Sequence, residues 1–187
     1  MLVYDSCVDL HAVQLLLTHI CTMPYYYLSP NPIHHRSYYE SKFGTDMVRS
    51  MIPRMQATAE EYGINMKYGG YVSNTFDSHR LIWKARELGG SDLQDKVVNQ
   101  LFRAYFEENK SIGELTVLEE CATKAGYDRS SEFLSNDELG KTEVEEEKQM
   151  YGRSYQCTGV PMFIVDGKYK LSGAQEPSAF LRVFGKL

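Results

Sequence analysis

The sequence predicts an α/β fold in which a long helical middle separates an N-terminal strand region from a C-terminal hairpin and helix. Near the C-terminus, the apolar run Met162–Val165 is followed by Asp166-Gly167 and then by Lys168–Leu171. An Asp-Gly pair supplies φ > 0 at both central positions of a type I′ turn, so two antiparallel strands are expected here, with Tyr169 and Leu171 on one face. Between about Ser37 and Tyr151, apolar residues recur at helical rather than strand spacing. Tyr25-Tyr26-Tyr27, set between Pro24 and Pro32, favours extended structure and excludes a helix.

Taken in order, Leu2–Tyr4 is a candidate strand, and Leu10–Ile20 is apolar enough for a buried helix. Ser37 with Glu40 matches a capping box opening a short helix that stops at Gly44. Met47, Val48, Met51, Ile52, Met55, Ala59 and Tyr62 continue at helical spacing. Pro53 should kink that helix without ending it. Core packing accounts for these methionines in preference to a metal site or an adaptable binding surface. Gly63–Val72 reads as a loop or short extended segment. Asn74 is expected to cap a helix with Leu81, Ile82, Ala85 and Leu88 inward, ended by Gly89-Gly90. Ser91 then opens another, in which Leu93, Val97, Leu101 and Tyr105 run beside Val98, Phe102 and Phe106. Thr116 with Glu119 predicts a further capped helix closed by Gly126, and Ser130–Ser135 one more turn. The acidic run Glu143–Glu147 reads as a solvated helix face, with Val144 and Tyr151 turned inward. Ser172-Gly173 is expected to end the second hairpin strand and open a helix through Phe180, Leu181 and Phe184.

These last residues carry a resemblance. Gly159-Val160-Pro161, a short strand, Asp-Gly, a second strand, then Ser-Gly-Ala-Gln with Pro177 and Phe180-Leu181 resemble the end of a DsbA-like thioredoxin domain. The branch it is most similar to is the FrnE-like group, related to 2-hydroxychromene-2-carboxylate isomerases and kappa-class glutathione transferases. Asn74–Leu81, Leu101–Phe106 and Tyr26–Asn31 agree with the family in the same order, so the resemblance runs from about Pro24 to Leu187. It implies a thioredoxin-like fold with a helical insertion: 1–36 and 152–187 form the thioredoxin-like part and 37–151 the insertion, all within one domain. Before Pro24 the chain is short for a strand–helix–strand crossover, which takes about a dozen residues or more, so the N-terminal lobe is expected to be truncated or replaced by a sequence that is not the family's own.

The resemblance also places a binding site. It implies a cis peptide between Val160 and Pro161, leaving the N–H and C=O of Val160 free to pair with an extended peptide or glutathione. The alternative is a proline that merely starts an edge strand. Ser172–Gln175 is expected at a helix N-terminus, where a carboxylate is favoured. In the glutathione-binding relatives this turn often carries Ser-Asp, whereas here Ala174-Gln175 follows Gly173. In kappa-like relatives an Asn in the Asn74 region approaches the bound thiol compound. The substrate-binding candidates are therefore Val160, Pro161, Asn74, Gly173, Ala174 and Gln175. His79 reads as a packed or surface histidine in preference to a base. The adjacent His34 and His35 cannot both face one ion in a strand, so no metal is expected.

Thiol–disulfide exchange uses a low-pKa thiolate with a second thiol three residues on. The family places Cys-Pro-x-Cys, or a Ser variant, after its first strand. None of the four cysteines here (Cys7, Cys21, Cys121, Cys157) forms a Cys-x-x-Cys pair. Cys7 is the candidate catalytic residue. Leu10 stands at its resolving position, and Asp5 and Asp9 would raise its pKa, so an inert cysteine is the competing reading. Cys157, two residues before Gly159, reads as a small core residue.

Bulk properties exclude other classes. A net charge of −5 over 187 residues argues against nucleic-acid or anionic-membrane partners. No apolar run approaches the roughly 20 residues of a spanning helix. The start Met-Leu-Val-Tyr-Asp lacks a basic n-region, and scattered cysteines suit a reducing, cytoplasmic location. The functional expectation is a DsbA-like oxidoreductase homologue that binds thiol peptides or glutathione, with weak or lost dithiol activity. A glutathione-dependent isomerase or transferase, using Ser6 or Cys7, and a non-catalytic binding protein are the alternatives. No resident cofactor is expected; glutathione is the candidate co-substrate.

Overall fold

A computed structural model describes residues 16–17, 32–156 and 161–187. The chain forms two compact units, one of Met1–Cys21 with Glu147–Leu187 and one of Thr22–Glu146.

The first unit contains a three-stranded sheet in the order β1–β4–β5, with β1 at Leu16–Leu17, β4 at Met162–Val165 and β5 at Tyr169–Ser172. Both pairings are antiparallel: Leu16 faces Ile164, and Met162 faces Ser172 across the hairpin. The turn adopts the expected geometry, with Asp166 at φ 51° and Gly167 at φ 64°. Lys168 N–H closes it on the Val165 carbonyl at 3.1 Å. Ile164 and Val165 are buried, and along β5 Tyr169 and Leu171 share the more covered face, as the period of two requires. A helix at Pro177–Phe184 packs its Phe180 edge-on against Phe163, 4.9 Å between ring centroids. This helix buries Ala179 and Val183, while Leu181 is exposed.

In the second unit, β2 (Ile33–His34) pairs antiparallel with β3 (Tyr71–Val72). Helices α1 (His35–Phe43) and α2 (Thr45–Glu61) follow β2 and meet at Gly44, whose φ of 82° suits glycine. The expected capping box at Ser37 and Glu40 does not form. The helix begins two residues earlier, where His35 N–H reaches the Gly70 carbonyl at 2.8 Å, and Glu40 instead pairs with Arg36. A tertiary partner for that first N–H fixes the start. Pro53 lies inside α2 as expected, but only Val48 and Ala59 of its stripe are buried, so core packing does not account for Met47 and Met55.

Helix α3 (Phe76–Phe106) bends at Gly89 and Gly90, whose backbone leaves the helical region, so the expected two-helix reading holds. Leu88, expected inward, is exposed. Helix α4 (Leu115–Ala125) starts after Glu114, ahead of the expected Thr116 cap, and ends on Gly126 in the left-handed conformation. Leu81, Ala85, Val97 and Leu101 of α3 pack with Leu118 and Ala122 of α4 and with Phe133 and Leu134 of α5 (Ser130–Leu134) to form the main core. Helix α6 (Lys141–Tyr155) buries Val144 and exposes Glu143, Glu145 and Glu146.

The core is tied down by a buried cation. Arg80, fully covered, donates to Asp77 Oδ1 at 2.7 Å, to the Leu139 carbonyl at 2.7 Å and to the Asn136 carbonyl, with its guanidinium over the Phe133 ring. One planar group thus holds the first turn of α3 and the segment leading into α6. Replacing Arg80 with Met leaves those carbonyls without their donor, and urea unfolding should show a loss of about 3 kcal/mol. Arg80→Lys should recover little of it, since one ammonium cannot match the fork geometry.

Candidate functional site

The hairpin positions the Pro161 site. Pro161 directly precedes β4, and its carbonyl accepts a 2.8 Å hydrogen bond from Gly173 N–H, one residue past the end of β5. This bond extends the ladder beyond the Met162–Ser172 pair, so Pro161 and the Gly173 turn lie side by side at one end of the hairpin. Gly173 has φ 78°, a conformation that side-chain-bearing residues resist, and open space surrounds its α-carbon. Gln175 folds back, donating from Nε2 to the Ser172 carbonyl at 2.6 Å. Pro161, Ala174 and Gln175 are exposed, so the turn is accessible.

The helix expected to open at Ser172-Gly173 begins instead at Pro177, with Glu176 as its N-cap residue; we label it α7. Ser172 is the last residue of β5. Pro177 at the first helical position is the signal that marks this start, because proline lacks the N–H that is unpaired there anyway. The correction changes the electrostatics. The helix N-terminus carries the exposed carboxylate of Glu176, which opposes a bound carboxylate where the helix dipole alone would favour one.

Asn74 belongs to the helical unit. Its Oδ1 accepts from Phe76 N–H at 2.8 Å, as expected of a cap, although the formal N-cap position is Thr75. Its backbone is held from behind by Gly113, where a Cβ would collide with Ser73 and with the Asn74 carbonyl. Ser73 and Ser111 share a buried 2.8 Å hydrogen bond, and Ser78 donates to the Ile112 carbonyl. His79 is buried in this helix, as a packed residue should be. Cys7, Val160 and Cys157 lie outside the described residues, as does the peptide bond preceding Pro161.

Among the described residues the only cysteine is Cys121, buried in the main core, where loss of solvent pushes its thiol up to about 11. It is no nucleophile at neutral pH. No group of three or more His, Cys, Asp or Glu among the described residues is placed to hold a metal ion, and no helix there is long and apolar enough to cross a membrane.

The sequence offers His35 only in a rejected metal pair with His34, and the structure gives it another setting. His35 is buried beneath Tyr39, Tyr68 and Tyr105, with ring centroids 4.8, 5.2 and 5.0 Å away, and its Nε2 lies 2.9 Å from the Tyr105 hydroxyl. The sequence signal is weak, because Tyr105 is 70 residues further on.

The residues 35–185 match the family of DSBA-like thioredoxin domains. This chain belongs to that family. The DSBA-like chain is also similar in structure to a probable DsbA oxidoreductase from Streptomyces coelicolor, with a TM-score of 0.75 and 24% identity. The match covers 86% of this chain and 70% of that one, and at this identity it speaks for the fold. Comparison with curated proteins finds no match. The thioredoxin-like fold with a helical insertion is thereby established.

Burial, aided by the neighbouring His34, lowers the His35 pKa from 6.5 to about 4. Between those values the unfolded chain binds a proton that the folded chain refuses, so stability should fall as pH drops from about 6.5 to 4 and change no further through this group below that. Chemical denaturation across this range should show a loss of up to about 3 kcal/mol in the native chain that His35→Gln removes.

Proposed function

We propose that this DSBA-like chain binds thiol-containing peptides at the Pro161–Gly173 turn, as an oxidoreductase homologue whose own dithiol activity is weak or lost. The observation that carries this is the Gly173 N–H to Pro161 carbonyl bond, which holds the turn with the exposed Ala174 and Gln175 beside the exposed proline that precedes β4. The resemblance puts the free backbone N–H and C=O on Val160, next to this turn, where an extended peptide would pair in the manner of an added strand. The structural neighbour is named as a probable DsbA oxidoreductase, which supports the oxidoreductase class.

Loss of dithiol turnover follows from composition. With no Cys-x-x-Cys in the sequence and Cys121 in the core, the thiolate candidate is Cys7. Attack of Cys7 on a substrate disulfide would form a mixed disulfide and release one substrate thiolate. An external thiol would then have to resolve it, itself becoming disulfide-linked in turn. A glutathione-dependent isomerase or transferase is less well supported. Glu176 sits beside the turn, and neither Ala174 nor Gln175 supplies positive charge to hold the γ-glutamyl carboxylate. A cytoplasmic location belongs to the same proposal.

Calorimetric titration with a short cysteine-containing peptide, and separately with glutathione, tests the reading. The peptide should bind more tightly than glutathione, and Gly173→Val, which strains the left-handed turn without filling occupied space, should weaken it about tenfold. Any insulin reduction should disappear in Cys7→Ser. Peptide affinity that is absent in the native chain, or unmoved by Gly173→Val, rules this site out.

A further inference from the structure

Helix α2 carries a seam that its own unit does not cover. Met51, Met55, Thr58 and Tyr62 follow at intervals of four, three and four residues, the spacing that keeps side chains on one side of a helix facing another helix. Met55 is 40% and Tyr62 62% exposed, Thr58 is exposed and Met51 is half-buried. The buried Val48, one heptad before Met55 at the N-terminal end of the same line, and the buried Ala59 on one flank attach the helix to its unit. On the other flank stand Arg54 and Glu61, seven residues apart. Neither makes an ion pair among the described residues.

We propose that this seam docks against the same seam of a second copy of the chain, antiparallel. The charge pattern selects that occupant. A two-fold axis midway between Met55 and Thr58 sets Met51 opposite Tyr62 and Met55 opposite Thr58 of the second copy, and each pair occurs twice. In an antiparallel pair related by a two-fold, like flanks face each other. Arg54 therefore meets Glu61 of the second copy, displaced by only about 3 Å along the axis at 1.5 Å per residue. The reciprocal pair forms on the same side. A parallel pairing would set that flank against Ile52 and Ala59, which belong to the attached face, and leave both charges unmatched. The seam covers about 18 Å of one helix, a small contact, so association is weak and concentration-dependent. A dissociation constant on the order of 100 μM fits that size.

Sedimentation equilibrium of the full chain, up to about a millimolar, reads this directly. The native chain should shift from monomer to twice the monomer mass across that range. Met55→Asp should hold it monomeric. Arg54→Glu should raise the dissociation constant about tenfold, and the double exchange Arg54→Glu with Glu61→Arg should return it to near the native value. These positions are solvent-facing, and circular dichroism verifies that each variant is folded. The proposal fails if the native chain stays monomeric. It fails equally if association ignores both Met55→Asp and Arg54→Glu, or if the double exchange does not restore it. A monomer whose Met55 and Tyr62 signals shift on adding an unrelated polypeptide would assign the seam to another partner and overturn it as well.

Discussion

One backbone hydrogen bond does more than any other to define the binding end of this protein, the bond from Gly173 N–H to the Pro161 carbonyl. The Asp166–Gly167 turn sets the register of β4 against β5, and the register determines which residues meet where the hairpin opens. A slip of one residue would turn every side chain to the other face and break the Met162–Ser172 pairing that sets Pro161 beside Gly173. Hence the apolar face that holds the hairpin to α7 also brings Pro161 alongside Gly173. The proposed peptide site inherits its geometry from packing around Phe163 and Phe180, at some remove from the turn itself.

The helical unit is built on a different constraint. Helices α3, α4 and α5 supply the apolar core, but the start of α3 is fixed by polar groups. Arg80 binds the segment before α6, and the serine pair Ser73–Ser111 with the close approach at Gly113 holds the backbone around Asn74. A buried guanidinium is tolerated because its donors find Asp77 and carbonyl acceptors. The same logic covers His35, which burial holds neutral and whose Nε2 meets the Tyr105 hydroxyl. Around the first helix, polar satisfaction sets where elements begin, while hydrophobic burial sets that they exist.

That division explains what was legible in the sequence. The hairpin was read correctly because its turn chemistry is local: Asp166 and Gly167 need no distant partner to adopt positive φ. The Gly89-Gly90 break and the Gly126 stop were equally local. Helix starts were less so. Ser37 and Glu40 fit a capping pattern, yet His35 found its partner at Gly70, which sequence spacing does not reveal. Ser172-Gly173 looked like a helix opening because serine caps helices, but Pro177 carried the stronger signal. The methionine stripe of α2 showed that a helix was present and not which side would be covered, since periodicity gives a face without naming its neighbour. Of the candidate site, the resemblance singles out Pro161 and Gly173, whereas the backbone bond between them and the carboxylate of Glu176 at the true helix start do not follow from it.

The most direct measurement of the central claim is a nitrogen-15 NMR titration of the chain with a cysteine-containing peptide. The account predicts saturable shifts at the amides of Met162, Gly173, Ala174 and Gln175, with the Asp166–Gly167 turn at the opposite end of the hairpin unmoved. Shifts confined to other surfaces, or none at these four amides at saturating peptide, would contradict it.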